Sequence, residues 1–184
     1  KHLPVWKLTF DKQHSFPLYR YRIAKLIDDS QLSLDWVGIQ MFLELFKVGK
    51  YYLPPFSLKG KTVLDIGACC GETAWFFFKH GASKVICVEP DPERVKLIET
   101  NAARLNWNVD VLAEKFAPKH LSLGADFVKC DIEGYEIELL PHIGSTPCVV
   151  EVHNWWLREQ FEKADFHLLL QLDPLLGLCL MANY

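Results

Sequence analysis

The strongest constraint on the fold is a buried strand that runs directly into a turn bracketed by two glycines. Residues 62–66 are mostly apolar, and residues 67–71 read Gly-Ala-Cys-Cys-Gly. A second apolar run over 84–88 ends at Glu89. Glycines let the backbone turn sharply and let the next helix start close to the strand. This spacing predicts the first half of an open sheet in which strands alternate with helices.

The same alternation continues to the end of the chain. Hydrophobic patterning predicts strands over 62–66, 84–88, 108–112, 126–130, 147–152, 166–172 and 177–183. It predicts helices over about 33–48 and over 71–80, 91–106, 115–121, 134–142 and 154–164. We therefore expect an α/β fold, a Rossmann-like, doubly wound, mostly parallel seven-stranded sheet with helices on both faces. The last two strands are too close for a helical crossover and predict a C-terminal antiparallel hairpin.

Length and composition set the organisation of the chain. With 184 residues, half of them hydrophobic, we expect one domain over 59–184, preceded by a flanking or lid segment over 1–58. The net charge of −3 gives no global attraction to nucleic acid or to an anionic membrane. Neither a transmembrane run nor a signal-peptide core is present in the sequence. The six cysteines lack a C-x-x-C spacing, which argues against structural zinc and favours a reduced, cytoplasmic protein.

The glycine turn and the acid after the second strand point to a nucleotide. Gly67 can bend the chain where a side chain would block a ligand, and Gly71 opens the next helix. Asp65 ends its strand in a position to hold a cationic or hydrogen-bonding group. Glu89 lies at the tip of the second strand, where a carboxylate can bind both hydroxyls of a ribose. The turn lacks the paired glycines that nicotinamide dinucleotides favour.

These two segments resemble a known pair of motifs. Val63-Leu-Asp-Ile-Gly-Ala-x-x-Gly71 and Val88-Glu-Pro-Asp91 look like the first two motifs of class I S-adenosylmethionine-dependent methyltransferases. The resemblance implies S-adenosylmethionine as the cofactor, with its methionine moiety at the turn and its ribose at Glu89. By position, the adenine ring would rest on the loop after the third strand. The residues implied in cofactor binding are Asp65, Gly67, Ala68, Gly71, Glu89, Pro90, Asp91, Ala113, Glu114 and Asp131.

The fourth strand carries a more specific resemblance. The segment from Phe127 to Glu136 contains Lys-Cys-Asp-Ile-Glu-Gly-Tyr-Glu, and Cys148-Val-Val-Glu-Val-His153 follows it. Both segments resemble FkbM-type methyltransferases, and the likeness covers roughly residues 60–155. It implies O-methylation of a hydroxyl on a small molecule or a glycan.

The catalytic candidates are Asp131, Glu133 and His153, because all three fall at or just beyond the carboxyl ends of predicted parallel strands. A hydroxyl acceptor benefits from a base. His153 has the ordinary pKa closest to neutrality, while Asp131 or Glu133 could take the proton if burial raised its pKa. The identity of the base stays open.

Simpler explanations stand beside these roles. Glu133 could favour the first turn of the next helix, and His153 and Asn154 could cap the helix that starts at Trp155. Trp155 and Trp156 could wall an acceptor pocket or pack in the core. Lys129 is expected to be a snorkelling or ion-paired structural lysine.

Two alternative functions and one alternative for the site remain beside the leading function. The basic and aromatic patch over 19–25 favours an RNA methyltransferase, and a catalytically silent S-adenosylmethionine-binding subunit would need the same cofactor residues. A magnesium site is a further alternative, although histidine is atypical for magnesium and we expect no metal. Its members would be Asp131, Glu151, His153 and Asn154.

Overall fold

The computed structural model describes residues 25–184. The basic and aromatic patch over 19–25 therefore lies outside the described residues except for Lys25. Helix α1 is Trp36–Val48, and Gly49–Tyr52 continues it as a 3-10 turn. Asp35 caps this helix, because its carboxylate accepts a hydrogen bond from the backbone N–H of Gly38.

The remaining elements follow the predicted alternation closely. The strands are β1 Thr62–Ile66, β2 Lys84–Val88, β3 Val109–Leu112, β4 Phe127–Cys130, β5 Cys148–Val152, β6 His167–Asp173 and β7 Leu178–Ala182. The helices between them are α2 Glu72–Lys79, α3 Pro92–Leu105 and α4 Trp155–Lys163. Each of these strands and helices lies within two residues of its predicted bounds.

All seven strands form one sheet in the order β3-β2-β1-β4-β5-β7-β6. Strands β1 to β5 pair in parallel, whereas β7 pairs antiparallel with both β5 and β6, which confirms the C-terminal hairpin. The order reverses between β1 and β4, and ligands bind at such a switch point. Ile66 is in register with Val88 on one side and with Cys130 on the other. Consequently the residues that follow these strands, Gly67, Glu89 and Asp131, share one edge.

The prediction of a helix over 134–142 is wrong. The chain there makes turns and one 3-10 segment, Glu136–Glu138. Glu133 and Gly134 both adopt positive φ, 55° and 101°, a conformation that a right-handed helix does not contain. The carboxylate of Glu136 also accepts hydrogen bonds from backbone N–H groups of this loop, in competition with a helix.

The predicted helix near 115–121 is likewise replaced by a 3-10 segment, Pro118–Leu123. Pro118 at its start suits a short turn, and Gly124 ends it in the left-handed region. Such short 3-10 segments commonly connect strands without contributing a full packing layer.

Both faces of the sheet are covered, and the segment before residue 59 packs onto the domain. Phe42 of α1 is fully buried and contacts Trp75 edge to face. Asn101 of α3 bonds to the backbone of Ser33 through both its amide oxygen and its amide nitrogen. All six cysteines are buried and unpaired, and the four in strands pack as small apolar residues, as expected. Within residues 25–184, no helix has the length and apolar character needed to span a membrane.

Candidate active site

A cleft of about 350 Å³ lies between the carboxyl edge of the sheet and helix α1. Its floor is formed by residues that follow β1, β2 and β4, and helix α1 forms one wall. The lining includes Val37, Met41, Glu44, Leu45, Tyr52, Gly67, Cys69, Glu89, Pro90, Arg94, Lys115, Phe116, Asp131, Glu133 and Glu138. The segment before residue 59 therefore contributes directly to this cleft.

The turn after β1 depends on glycine for a reason other than the predicted one. Gly67 has φ of 76°, and a Cβ there would lie 1.8 Å from the backbone oxygen of Asp131. A side chain would thus collide with the loop after β4 before it met any ligand. Gly71 begins α2 with φ of 85°, which also favours glycine. Gly67 thus allows the turn to pack tightly against the loop after β4.

Asp65 lies beneath the turn and does not line the cleft. It is fully buried, its Oδ1 is 3.2 Å from Nζ of Lys129, and it accepts a hydrogen bond from the hydroxyl of Thr73. Lys129 also donates to the backbone oxygen of Gly67 at 2.8 Å. Of the two predicted roles for Lys129, a snorkelling or an ion-paired structural lysine, the structure shows the ion-paired one. The pair supports the cofactor turn from below, and Asp65 is placed to act on a ligand through that turn.

Glu89 lies in the cleft with both carboxylate oxygens aligned by the backbone. Oε2 accepts a hydrogen bond from the N–H of Cys69 at 2.9 Å, and Oε1 accepts one from the N–H of Asp91 at 2.9 Å. Each carboxylate oxygen has a further lone pair, so the group can still accept two hydroxyls. Burial raises the pKa of Glu89, while these two N–H groups favour its charged form. The Asp91 side chain instead caps α3.

In the loop after β3, the residues that line the cleft are not the ones that the sequence predicted. Ala113 and Glu114 do not line the cleft, whereas the next two residues, Lys115 and Phe116, do. Glu114 turns toward Lys119 and His120, at 2.8 and 3.1 Å. The aromatic ring of Phe116 is therefore the surface in this loop against which a planar ligand could pack.

The loop after β4 and helix α1 place carboxylates along the cleft. Asp131 and Glu133 from the loop and Glu44 from the helix all line it. Among the described residues, Glu44 Oε1 and Asp131 Oδ1 are buried without a hydrogen-bond partner. Glu133 is 82% exposed and starts no helix. This excludes the simpler explanation that Glu133 favours the first turn of a following helix. This part of the cleft suits a ligand that donates hydrogen bonds or carries positive charge.

His153 lies behind these carboxylates. Its Nδ1 is 2.8 Å from Oε1 of Glu136, and its Nε2 is 3.5 Å from both Asp131 Oδ1 and Glu133 Oε2. Burial alone would lower the pKa of His153, but the hydrogen bond and charge of Glu136, with the charges of Asp131 and Glu151, raise it to about 9. His153 therefore carries a proton at neutral pH, and it is Asn154 that caps α4.

Glu151 is a carboxyl whose pKa is raised to near neutrality. Burial and the charge of Asp131 raise its pKa to about 7, and the hydroxyl of Tyr52 donates a hydrogen bond to its Oε2 at 2.6 Å. Tyr52 lines the cleft, so the pair connects the wall of the cleft with β5. From residue type alone, His153 was the group expected to titrate near neutrality. The neighbouring carboxylates raise its pKa to about 9 and so move its titration away from neutrality.

Within residues 25–184, two groups of side chains could hold a metal ion. Asp131, Glu136 and His153 bring one donor atom each within 4.8 Å of one another, and so do Asp35, Cys69 and Cys70. In the first group, Nδ1 of His153 and Oε1 of Glu136 are already engaged with each other. The positive imidazole compensates the carboxylates there, so we interpret this group as an ion-pair network.

The proton on His153 predicts how stability depends on pH. Its pKa is about 9 in the folded state against an ordinary value of 6.5, so its stabilising contribution is fully present below pH 6.5. That contribution is lost as the pH rises through 9. We expect the free energy of unfolding to decline across this window with a slope of up to about 1.4 kcal/mol per pH unit. His153→Gln should flatten the decline, as measured by urea unfolding at pH 6, 7.5 and 9.

Glu151 provides an internal check on this prediction. Its raised pKa makes stability decline from its ordinary value of 4.5 toward about 7, a lower window than that of His153. His153→Gln should change the upper window much more than the lower one. An unchanged slope between pH 7.5 and 9 in this variant would contradict the charged state assigned to His153.

Several cleft residues have no signal in the sequence. Glu44, Tyr52, Arg94 and Phe116 had no predicted role, because a periodic pattern predicts a helix but not which of its faces meets a cleft. Trp155 and Trp156, predicted either to wall the pocket or to pack in the core, are about half exposed and do not line the cleft.

The strand order, the glycine turn and the acid at the end of β2 together define the fold of class I S-adenosylmethionine-dependent methyltransferases. Over 99 residues the chain is 34% identical to ribosomal protein L11 methyltransferase of Edwardsiella ictaluri. The aligned residues cover 52% of this chain and 33% of that protein. The chain thus spans about a third of the length of this curated relative. No protein-family model matches the chain, so the FkbM-type resemblance stays a prediction.

Solved structures agree with the fold. Ribosomal protein L11 methylase from Lactobacillus delbrueckii subsp. bulgaricus has a TM-score of 0.52 and 20% identity, covering 67% of this chain and 69% of that one. Aeropyrum pernix fibrillarin, solved with natively bound S-adenosyl-L-methionine, has a TM-score of 0.58 and 14% identity, covering 76% and 73%. The enzyme class and cofactor predicted from the sequence agree with these relatives.

Proposed function

We propose that this chain is an S-adenosylmethionine-dependent methyltransferase that methylates a hydroxyl on a small molecule or a glycan. The observation that carries the proposal is the meeting of Gly67, Glu89 and Asp131 in one cleft at the switch point of the sheet. The unpaired, buried cysteines fit a reducing compartment, and we place the protein in the cytoplasm.

The cofactor residues divide the cleft by chemistry. Glu89 would accept the two ribose hydroxyls, and Phe116 would pack against the adenine ring. The turn from Gly67 to Cys69 would hold the methionine moiety, with Asp131 toward its cationic groups. When bound, S-adenosylmethionine supplies an electrophilic methyl carbon on a positive sulfur. The carboxylates that line this cleft outnumber its lining cations, which are Arg94, Lys115 and Lys129, and therefore favour such a charge.

Asp131, Glu133 and His153 are the proposed catalytic residues. The acceptor oxygen must lie about 3–3.5 Å from the methyl carbon and in line with the leaving sulfur. Asp131 and Glu133 can accept hydrogen bonds from an acceptor hydroxyl and orient it. His153 is protonated at neutral pH, so in this proposal its positive charge pairs with the two carboxylates, and one of them takes the hydroxyl proton.

Methylation of a protein amine is a second candidate. The carboxylates of Glu44, Asp131, Glu133 and Glu138 along the cleft would attract a cationic side chain. The name of the curated relative, ribosomal protein L11 methyltransferase, supports a protein acceptor. The FkbM-type segments at the ends of β4 and β5 favour a hydroxyl instead. RNA is less suited, because these carboxylates repel phosphate.

Isothermal titration with S-adenosylmethionine and S-adenosylhomocysteine, with NAD as the control, tests the proposed cofactor. We expect micromolar affinity for the two sulfur ligands and none for NAD. Binding in the absence of any methyl transfer to hydroxyl or amine acceptors would support the silent-subunit alternative. Absence of binding to either sulfur ligand would remove the basis of the proposal.

Glu133→Gln should separate cofactor binding from turnover. Glu133 is largely exposed and makes no hydrogen bond that orders the cofactor turn, so affinity for S-adenosylmethionine should stay within about twofold. Loss of a group that orients or deprotonates the acceptor should lower turnover by about 10²-fold or more. Methyl transfer from radiolabelled cofactor measures this effect, and turnover equal to the wild type would remove Glu133 from the catalytic set.

A further inference from the structure

One buried carboxylate organises the loop after β4. Glu136 has no exposed surface. Its Oε1 accepts hydrogen bonds from the backbone N–H of Ile132 at 3.2 Å and of Gly134 at 2.9 Å. The same oxygen is 2.8 Å from Nδ1 of His153, which follows β5. Three donors therefore converge on one atom and connect two neighbouring strand ends.

We propose that Glu136 is a positioning residue that fixes the ring of His153 through Nδ1, so that Nε2 faces Asp131 and Glu133, two carboxylates that line the cleft. This inference rests on the methyltransferase function proposed above. A neutral imidazole donates through one nitrogen and accepts through the other. With Nδ1–H bound to Glu136, the nitrogen that gains and loses the second proton is Nε2, which is 3.5 Å from both Asp131 and Glu133.

The surroundings of Glu136 keep its negative charge in place. Burial would raise the pKa of this carboxyl, but the hydrogen bonds from His153 and Gly134 outweigh burial and lower it. A permanent charge at Nδ1 favours the protonated ring. The titratable groups that face His153 are Glu44 from α1, Asp131 and Glu133 from the loop after β4, Glu136 from the 3-10 turn and Glu151 from β5.

This arrangement assigns different tasks to the acids near the cleft. Glu136 is fully buried and does not line the cleft, so it acts through His153. Asp131 and Glu133 line the cleft and are available to an acceptor. Because Nε2 lies at equal distances from both, ring rotation would break contacts to two cleft carboxylates at once. Glu136 prevents that rotation.

Nuclear magnetic resonance of protein labelled with ¹⁵N-histidine tests the inference without an acceptor. At high pH we expect the wild-type His153 to carry its proton on Nδ1. In Glu136→Gln the pKa of His153 should fall by about one unit or more, because the ion pair is lost. The matched control is Glu159→Gln, an exposed glutamate on α4 that pairs with Lys163 and should leave His153 unchanged.

The outcomes separate this inference from the proposed function. A proton on Nε2 of wild-type His153, or an unchanged pKa in Glu136→Gln, would overturn the positioning role whatever the protein methylates. The wild-type measurement decides the matter even if Glu136→Gln does not fold, since the tautomer needs no variant. Conversely, a proton on Nδ1 together with absence of S-adenosylmethionine binding would retain Glu136 as the residue that orients His153 and overturn the methyltransferase.

Discussion

Glu89→Ala is expected to abolish measurable binding of S-adenosylmethionine. A carboxylate that accepts two ribose hydroxyls contributes about 1.5–3 kcal/mol for each charged hydrogen bond, so affinity should fall by about 10²-fold or more. Titration calorimetry on folded protein measures the loss. Affinity equal to that of the wild type would show that the ribose does not bind at this carboxylate.

The structure adds a second consequence of this substitution. Glu89 also accepts hydrogen bonds from the backbone N–H groups of Cys69 and Asp91, and removing it leaves two donors without this partner. An unsatisfied buried donor costs about 1–3 kcal/mol, so Glu89→Ala should also lower the midpoint of thermal unfolding. Binding must therefore be measured well below that midpoint. Glu93→Gln, an exposed glutamate of α3 paired with Lys96, is the matched control and should change neither property.

Lys129→Met is expected to cause the largest loss of stability. Lys129 and Asp65 are almost completely buried, and their charges are 3.2 Å apart. Removal of one partner leaves an uncompensated buried charge, which costs about 3–5 kcal/mol. A domain of this size has about 5–15 kcal/mol of total stability, so urea unfolding should shift strongly. Cofactor affinity should fall as well, because Lys129 also supports the carbonyl of Gly67.

A second substitution tests whether the buried charge is the cause. In the double variant Asp65→Asn with Lys129→Met, no buried charge is left unpaired, so part of the lost stability should return. Lys61→Met removes one member of an exposed pair with Asp126 and should cost no more than about 1 kcal/mol. A double variant as unstable as the sum of both single variants would contradict the ion-pair explanation.

Local sequence determined the part of the fold that carries the cofactor residues. Buried strands such as β1 and β2 are short apolar runs, and the turn after β1 contains glycines at both ends. Positive φ at Gly67 and Gly71 is a property of those residues themselves. The carboxyl ends of parallel strands must meet at one edge, so the amino-acid pattern alone is enough to place Glu89 and Asp131 together.

Long-range contacts decided the rest. The segment after β4 has helical composition, yet Glu136 binds backbone N–H groups and His153, which follows β5. No local pattern encodes that contact. The shift from Ala113 and Glu114 to Lys115 and Phe116 has a more local cause, since Glu114 pairs with Lys119 and His120 in the segment that follows it.

The chain alone thus specified which chemical groups reach the edge of the sheet. The charge on His153 was settled only by packing, because its pKa depends on carboxylates that come from separate elements. The wall formed by Glu44 and Tyr52 likewise exists because helix α1 docks against the sheet. Backbone geometry is encoded locally, whereas electrostatics and cleft shape arise from residues that are distant in sequence and close in space.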